Sequence, residues 1–182
     1  CLELANSCVI ERLAEKFVWI MIGSGLKMTK IASRIRELGI ELPNAAAPAA
    51  NYVPYILSGN QVFIAGQIPF WNGELTGLGK LGSNLSIEEG AKIARICGLN
   101  LLAQLEVACD GDLDRVSRVI KLGGFVSCID SFTEQPEVVN GASDLMVEVF
   151  GDIGRHARFA VGVGSLPRGV AVEVDGVFEL YK

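Results

Sequence analysis

The chain predicts an α+β fold in which two helices pack on one face of a mixed β-sheet. Three observations carry this reading. An apolar stripe with a period of about 3.6 residues runs from a capping box at Ser86 to Ala108. A second helical stripe starts near Pro136. Short apolar runs of strand type precede, separate and follow these two stripes, giving the order β-β-α-β-α-β-β. Two helices interleaved with sheet segments need one helical layer over one sheet face. An apolar second face would then be covered by other subunits.

Each element has its own local signal. Ile31, Ile35 and Leu38 make a short helical stripe that Gly39 can end. Residues 42–50 hold two prolines and several alanines, the composition of a linker or extended arm. Tyr55–Leu57 and Gln61–Ala65 read as strands joined by the tight turn Ser58-Gly59-Asn60. Gly66-Gln67-Ile68-Pro69 ends the second strand, and the glycine-rich stretch from Phe70 to Asn84 shows no period and reads as a loop. Ser86-x-x-Glu89 opens the long helix, and Asp110-Gly111-Asp112 breaks it. Arg118–Val126 alternates as a strand. Val138, Ala142, Leu145 and Val149 form the buried stripe of the next helix, and residues 151–154 break it. Two Val- and Ala-rich strands finish the chain around Leu166-Pro167-Arg168-Gly169.

At 182 residues the chain is one domain's length. It can bury roughly 70% of the surface that its unfolded form exposes, without disulfide or metal staples. The five cysteines match no metal-ligand spacing, and Cys97 and Cys109, within or at the end of a helical pattern, read as buried thiols of a protein in the reducing cytoplasm. A single histidine, His156, excludes a multi-histidine metal site within one chain, and no metal or cofactor is expected. The net charge of −5 and the lack of a Lys/Arg cluster argue against a nucleic-acid partner. The apolar run Phe17–Ile22 is far too short to span a bilayer, so no membrane partner is expected. Residues 1–27 are expected to be an N-terminal extension, either an appended helix or a segment not native to the protein. Residues 28–48 then form an N-terminal helix and arm, and 49–182 the main domain.

The last two strands hold charges of opposite sign within apolar runs, Arg158 in the first and Glu173 in the second. An unpaired charge in an apolar strand is costly, so each must meet a partner, a ligand or water. Arginine is the side chain best shaped to hold a carboxylate with two parallel hydrogen bonds. The two charges could equally pair with each other across the sheet. Tyr52 reads equally well as a pocket residue or a half-buried aromatic. Asn140 has the composition of a local helix hydrogen-bonder. His156 reads as a solvated loop residue, Trp71 as a lid or a subunit contact, and Lys121 as pointing to solvent or an interface.

From about Ala49 to Leu180 the chain resembles the RidA/YjgF family of reactive-intermediate deaminases, also described as endoribonuclease-like. The likeness rests on Tyr52 ahead of Ser58-Gly59-Asn60, on Ala65-Gly66-Gln67-Ile68-Pro69, on Asn140, on Arg158-x-x-Val161, and on Leu166-Pro167-x-Gly169-x-x-Val172-Glu173. It is closest to a branch whose second helix ends Leu-x-Val-Glu-Val-Phe-Gly, here 145–151, followed by His-Ala-Arg at 156–158. The resemblance implies a chorismate-mutase-like fold and a homotrimer with sites in the clefts between subunits. It implies that Arg158 grips a substrate carboxylate, that Glu173 lies near the attacking water, and that Tyr52 and the backbone at Gly66 border the pocket.

Two positions depart from the family pattern: Ala65 stands where a serine is usual, and Ala160 where a cysteine is frequent. The expected activity is cofactor-free hydrolysis of small enamines or imines of the 2-aminoacrylate type to a 2-keto acid and ammonia. The alternative is a non-catalytic trimer that captures small carboxylated metabolites. An endoribonuclease is the third reading. The catalytic candidates are Arg158 and Glu173. The substrate-binding candidates are Arg158, Tyr52, Gly66, Ala65, Ala160 and Asn140.

Overall fold

The structure is a computed structural model that describes residues 29–47 and 51–182. The expected extension at 1–27 lies outside the described residues. Helix α1 (Lys30–Glu37) starts at a Thr29 cap, whose side chain accepts from Ala32 N, and Gly39 just past its end takes φ +64°. A hairpin follows, β1 (Tyr55–Ser58) and β2 (Gln61–Gln67), with Ser58 paired to Gln61 across the Gly59-Asn60 turn. The stretch read as a featureless loop holds a two-rung hairpin, β3 (Phe70–Trp71) and β4 (Glu74–Leu75). Asn72 and Gly73 at its tip both have positive φ, which forms a two-residue turn between strands too short to show alternation in the sequence. Trp71 packs against the core rather than standing free as a lid.

Helix α2 (Ile87–Ala108) begins with the capping box in full: Glu89 N donates to Ser86 Oγ (3.2 Å) and Ser86 N donates to the Glu89 carboxylate (2.8 Å). Then come β5 (Val116–Ser127), α3 (Gln135–Phe150), β6 (Ala157–Val163) and β7 (Val172–Leu180). The sheet order is β1-β2-β7-β5-β6, antiparallel except for the parallel pair β5/β6. That exception follows from connectivity, because α3 crosses over the sheet between the two strands. The architecture is the expected mixed α+β arrangement.

Helices α2 and α3 cover one sheet face. Leu101, Leu102, Leu105, Leu145 and Met146 from the helices meet Val62, Leu122, Val126 and Phe178 from the strands, all fully buried. Burying each such side chain is worth about 1.5–3 kcal/mol. Along β7 the side chains alternate strictly: Val172, Val174, Gly176, Phe178 and Leu180 are buried, while Glu173, Asp175, Val177 and Glu179 lie on the other face and are only partly covered. That open face also carries Ile56, Phe63 and Val161, each more than a third exposed. Cys97, Cys109 and Cys128 are buried free thiols, as read from the sequence for the first two. No helix among the described residues is long and apolar enough to cross a membrane.

The helical layer is held close by glycine. A Cβ at Gly141 would collide with the backbone carbonyl of Ala91, and one at Gly98 would press on Leu145 and Ala142. Gly141→Ala should gain about 1 kcal/mol of helix propensity but lose more by forcing α2 and α3 apart. A net destabilisation of about 1–2 kcal/mol is expected from overpacking at a backbone contact, read as a lower urea midpoint with unchanged slope.

Candidate functional site

The sequence candidates fall into two groups, and the strand register decides which. On β5, Leu122 is flanked by Arg158 on β6 and Gly176 on β7, whereas Phe125 is flanked by Val161 and Glu173. Leu122 is fully buried beneath the helices. The Phe125 ring meets the Phe159 ring edge-on at 5.3 Å on the opposite face. Because side chains alternate, Arg158 and Ala160 face α3 and Glu173 faces the open side. Within one chain Arg158 and Glu173 therefore neither pair nor share a pocket.

Arg158 lies between edge strand β6 and α3. Its Nη1 donates to Asn140 Oδ1 (2.9 Å) and to Ser143 Oγ (3.0 Å), and its Nη2 donates to the Pro136 carbonyl (3.3 Å). Residues 136, 140 and 143 lie on one stripe of α3, beside the buried stripe of Val138, Ala142, Leu145 and Val149. All three acceptors are uncharged, so the guanidinium keeps its full positive charge. It also keeps donors, since a guanidinium has five N–H groups and these bonds use three. Asn140, expected from sequence to bond locally, instead reaches across to the sheet. Ser143 was not anticipated. Its signal is the i, i+4, i+7 spacing with Pro136 and Asn140, which a pattern of apolar residues does not show.

Glu173 belongs to the second group. It lines a pocket of about 170 Å³ with Tyr52, Gly66, Gln67, Ile68, Phe70 and Arg168. The pairing of β2 with β7 is regular to Ile64 and resumes at Gln67, so Ala65 and Gly66 form a bulge. The bulge brings the Gly66 Cα against the Glu173 carboxylate, and a Cβ there would strike it. Gln67 is buried and secures the bulge by donating to the Ala65 carbonyl (2.9 Å). Arg168 takes a left-handed conformation (φ +59°) in the turn between β6 and β7 and stands over the Phe70 ring at 5.7 Å. Tyr52 is half exposed at the rim. Among the described residues no three metal-ligating side chains come together.

The electrostatics of the open face are unusual. Burial pushes the Glu173 carboxyl above its ordinary range, and the charge of Asp175 two residues on adds to the effect. Burial also raises Asp175, opposed by the Gly123 N–H and by Lys121. Lys121 stands over the Phe159 ring at 5.2 Å on this face, as its reading as a solvent or interface residue requires. His156, read from sequence as solvated, is half-buried, and burial lowers its pKa.

A carboxyl whose folded pKa is raised stabilises the fold below its unfolded pKa, and that contribution is lost as pH rises through the folded value. Glu173→Gln should therefore raise the melting temperature at pH 7.5. The gain should shrink as pH falls and vanish below the ordinary carboxyl value of 4.5. Calorimetric scans of both proteins across that range check it.

Residues 32–174 match the family described as "YjgF/chorismate mutase-like, putative endoribonuclease". The protein TCP17 of Trypanosoma cruzi is 52% identical over 154 residues, which cover 83% of this chain and 94% of that one. Among solved structures, Atu1372 of Agrobacterium tumefaciens, whose function is described as unknown, is 43% identical with a TM-score of 0.77, covering 84% of this chain and 94% of its own. A Shewanella oneidensis protein described in endoribonuclease terms is 37% identical with a TM-score of 0.80, covering 84% of this chain and all of its own. With its main domain matched nearly end to end and its fold shared with these relatives, the chain belongs to the RidA/YjgF family.

Proposed function

We propose that this protein hydrolyses small enamines or imines of the 2-aminoacrylate type to a 2-keto acid and ammonia, without a cofactor, at boundaries between its subunits. The observation that carries the reading is the state of Arg158: a full guanidinium charge, oriented by uncharged acceptors, with donors to spare. Such a group is prepared for a carboxylate. Glu173, its pKa raised by burial, is a stronger base than an ordinary carboxylate and is suited to accept and return a proton.

The chemistry balances with these two groups and one water. The enamine tautomerises to the imine, and water adds to the C=N carbon while Glu173 takes its proton and passes it to the imine nitrogen, giving the carbinolamine. Glu173 then takes the carbinolamine hydroxyl proton and passes it to the same nitrogen, the C–N bond breaks as the C=O bond forms, and ammonia leaves with the keto acid behind. Because the two residues lie on opposite faces of one sheet, a shared ligand needs Arg158 from one protomer and Glu173 from another. Edge strand β6 and the partly uncovered apolar face are the surfaces available for that contact, and a homotrimer is the assembly proposed.

A second reading is supported by Ala65 and Ala160. Neither wall offers the hydroxyl or thiol that the family pattern supplies, and a protein that only captures small carboxylates would need neither. RNA cleavage fits less well, because Glu173, Asp175 and Glu179 line the open face of a chain of net charge −5.

Keto-acid release from freshly generated 2-aminoacrylate separates these readings. Arg158→Ala should lower kcat/KM about 10–100-fold, the loss of hydrogen bonds to a charged group. Glu173→Gln should lower kcat about 100-fold or more. The acid limb of the wild-type profile should lie above pH 4.5, since activity needs the ionised carboxylate and its pKa is raised. A wild-type rate equal to buffer, with 2-oxobutyrate still bound in calorimetry, would favour the capture reading.

Shared sites also predict complementation. Arg158→Ala and Glu173→Gln chains, each nearly inactive, should regain roughly a quarter of the wild-type rate when unfolded and refolded together, because some boundaries then pair two intact residues. No recovery would overturn the site shared between subunits.

A further inference from the structure

We infer that Ser143 and His156 act as a single positioning unit that sets the polarity of the hydrogen bond holding Arg158, His156 working only through Ser143. The inference rests on the carboxylate-holding role proposed for Arg158 and gives Ser143 and His156 a part in it that neither the sequence motifs nor the comparisons assign.

The direction of each bond follows from its chemistry. His156 Nδ1 lies 2.6 Å from the Gly154 carbonyl oxygen, which can only accept, so Nδ1 carries the hydrogen. Burial and the nearby Arg158 charge both lower the His156 pKa, and the Gly154 carbonyl opposes them more weakly than burial acts. The ring is therefore neutral at ordinary pH, and Nε2 presents a lone pair. Ser143 Oγ lies 3.0 Å from Nε2 and is the donor of that pair. A serine hydroxyl has one hydrogen. With that hydrogen committed to His156, only lone pairs remain for Arg158 Nη1 at 3.0 Å.

Without the imidazole, the hydroxyl could turn its hydrogen elsewhere and its lone pairs would no longer be directed at Nη1. Ser143 and Asn140 together occupy both hydrogens of Nη1, and Pro136 takes one from Nη2. That leaves the Nε–H and one Nη2–H without a partner among the described residues. Two such donors are what a carboxylate accepts in parallel. The unit thus keeps one edge of the guanidinium occupied by neutral groups and leaves the charge and the remaining donors to a ligand. A carboxylate in place of Ser143 would hold the arginine as well but would neutralise it.

The test is a double-mutant cycle read by calorimetric affinity for 2-oxobutyrate and benzoate on the full chain, with Arg158→Ala as the reference for complete loss. Ser143→Ala should weaken binding about fivefold, and Ser143→Thr, which keeps the oxygen, should stay within about twofold of wild type. His156→Leu should weaken binding as much as Ser143→Ala, and the double variant should be no worse than either single. Losses that multiply in the double variant, or a Ser143→Ala affinity equal to wild type while Arg158→Ala abolishes binding, would overturn the unit. Imidazole 15N shifts of the ligand-free protein give an independent arm. They should show the Nδ1–H tautomer, and an Nε2–H tautomer overturns the relay whatever the ligand data say. Absence of wild-type binding to both carboxylates would instead reject the ligand role of Arg158 itself, a failure that the tautomer measurement tells apart.

Discussion

A positive charge held at the edge of the sheet with no counter-ion among the described residues is the constraint on which the candidate site depends. Arg158 is only partly exposed, and such a charge is costly unless its hydrogens are well used. Here they are used by a side-chain amide, a hydroxyl and a main-chain carbonyl. The stripe of α3 that presents these acceptors is fixed by the neighbouring stripe that builds the core. Helix packing and charge placement are therefore set by one rotation of one helix. That rotation depends in turn on the close backbone contact between Gly141 and Ala91.

Strand alternation supplies the second constraint. Parity along β6 and β7 places the cation under the helices and the carboxylate on the bare face, and no side-chain motion can bring them together within one sheet. The carboxylate has its own support in the bulge at Ala65–Gly66 and the pocket beneath the Pro167–Gly169 turn. Each group is positioned locally, and under the proposed function joining them is a matter of assembly rather than folding.

The elements with strong local signals were legible in the sequence. The Ser86 capping box, the two helix stripes, the Gly59-Asn60 hairpin and the glycine after α1 all appear where their chemistry placed them. The Phe70–Leu75 hairpin was not legible, because two-residue strands have no period to detect. At the site, the residue types were legible and their grouping was not. Nothing local says that Arg158 and Glu173 face opposite ways, since that depends on the register of β5 with both neighbours. His156 reads as solvated in the sequence because its side-chain partner, Ser143, lies thirteen residues back, across the turn that returns α3 to the sheet. Ser143 gives no signal of its own, because a polar residue beside an apolar stripe looks like an ordinary solvent boundary.

The Cys97 thiol lies directly behind the Glu173 strand, where its Sγ meets the Val172 carbonyl at 3.5 Å. Burial, helped by the Glu173 charge, raises its pKa well above the ordinary thiol value, so almost no thiolate forms at neutral pH. Imines and enamines give rise to electrophiles that sulfur nucleophiles trap. With this sulfur silenced and an alanine at 160, neither of these two positions presents a thiolate, so the chemistry proposed for the site would not be met by sulfur from either of them.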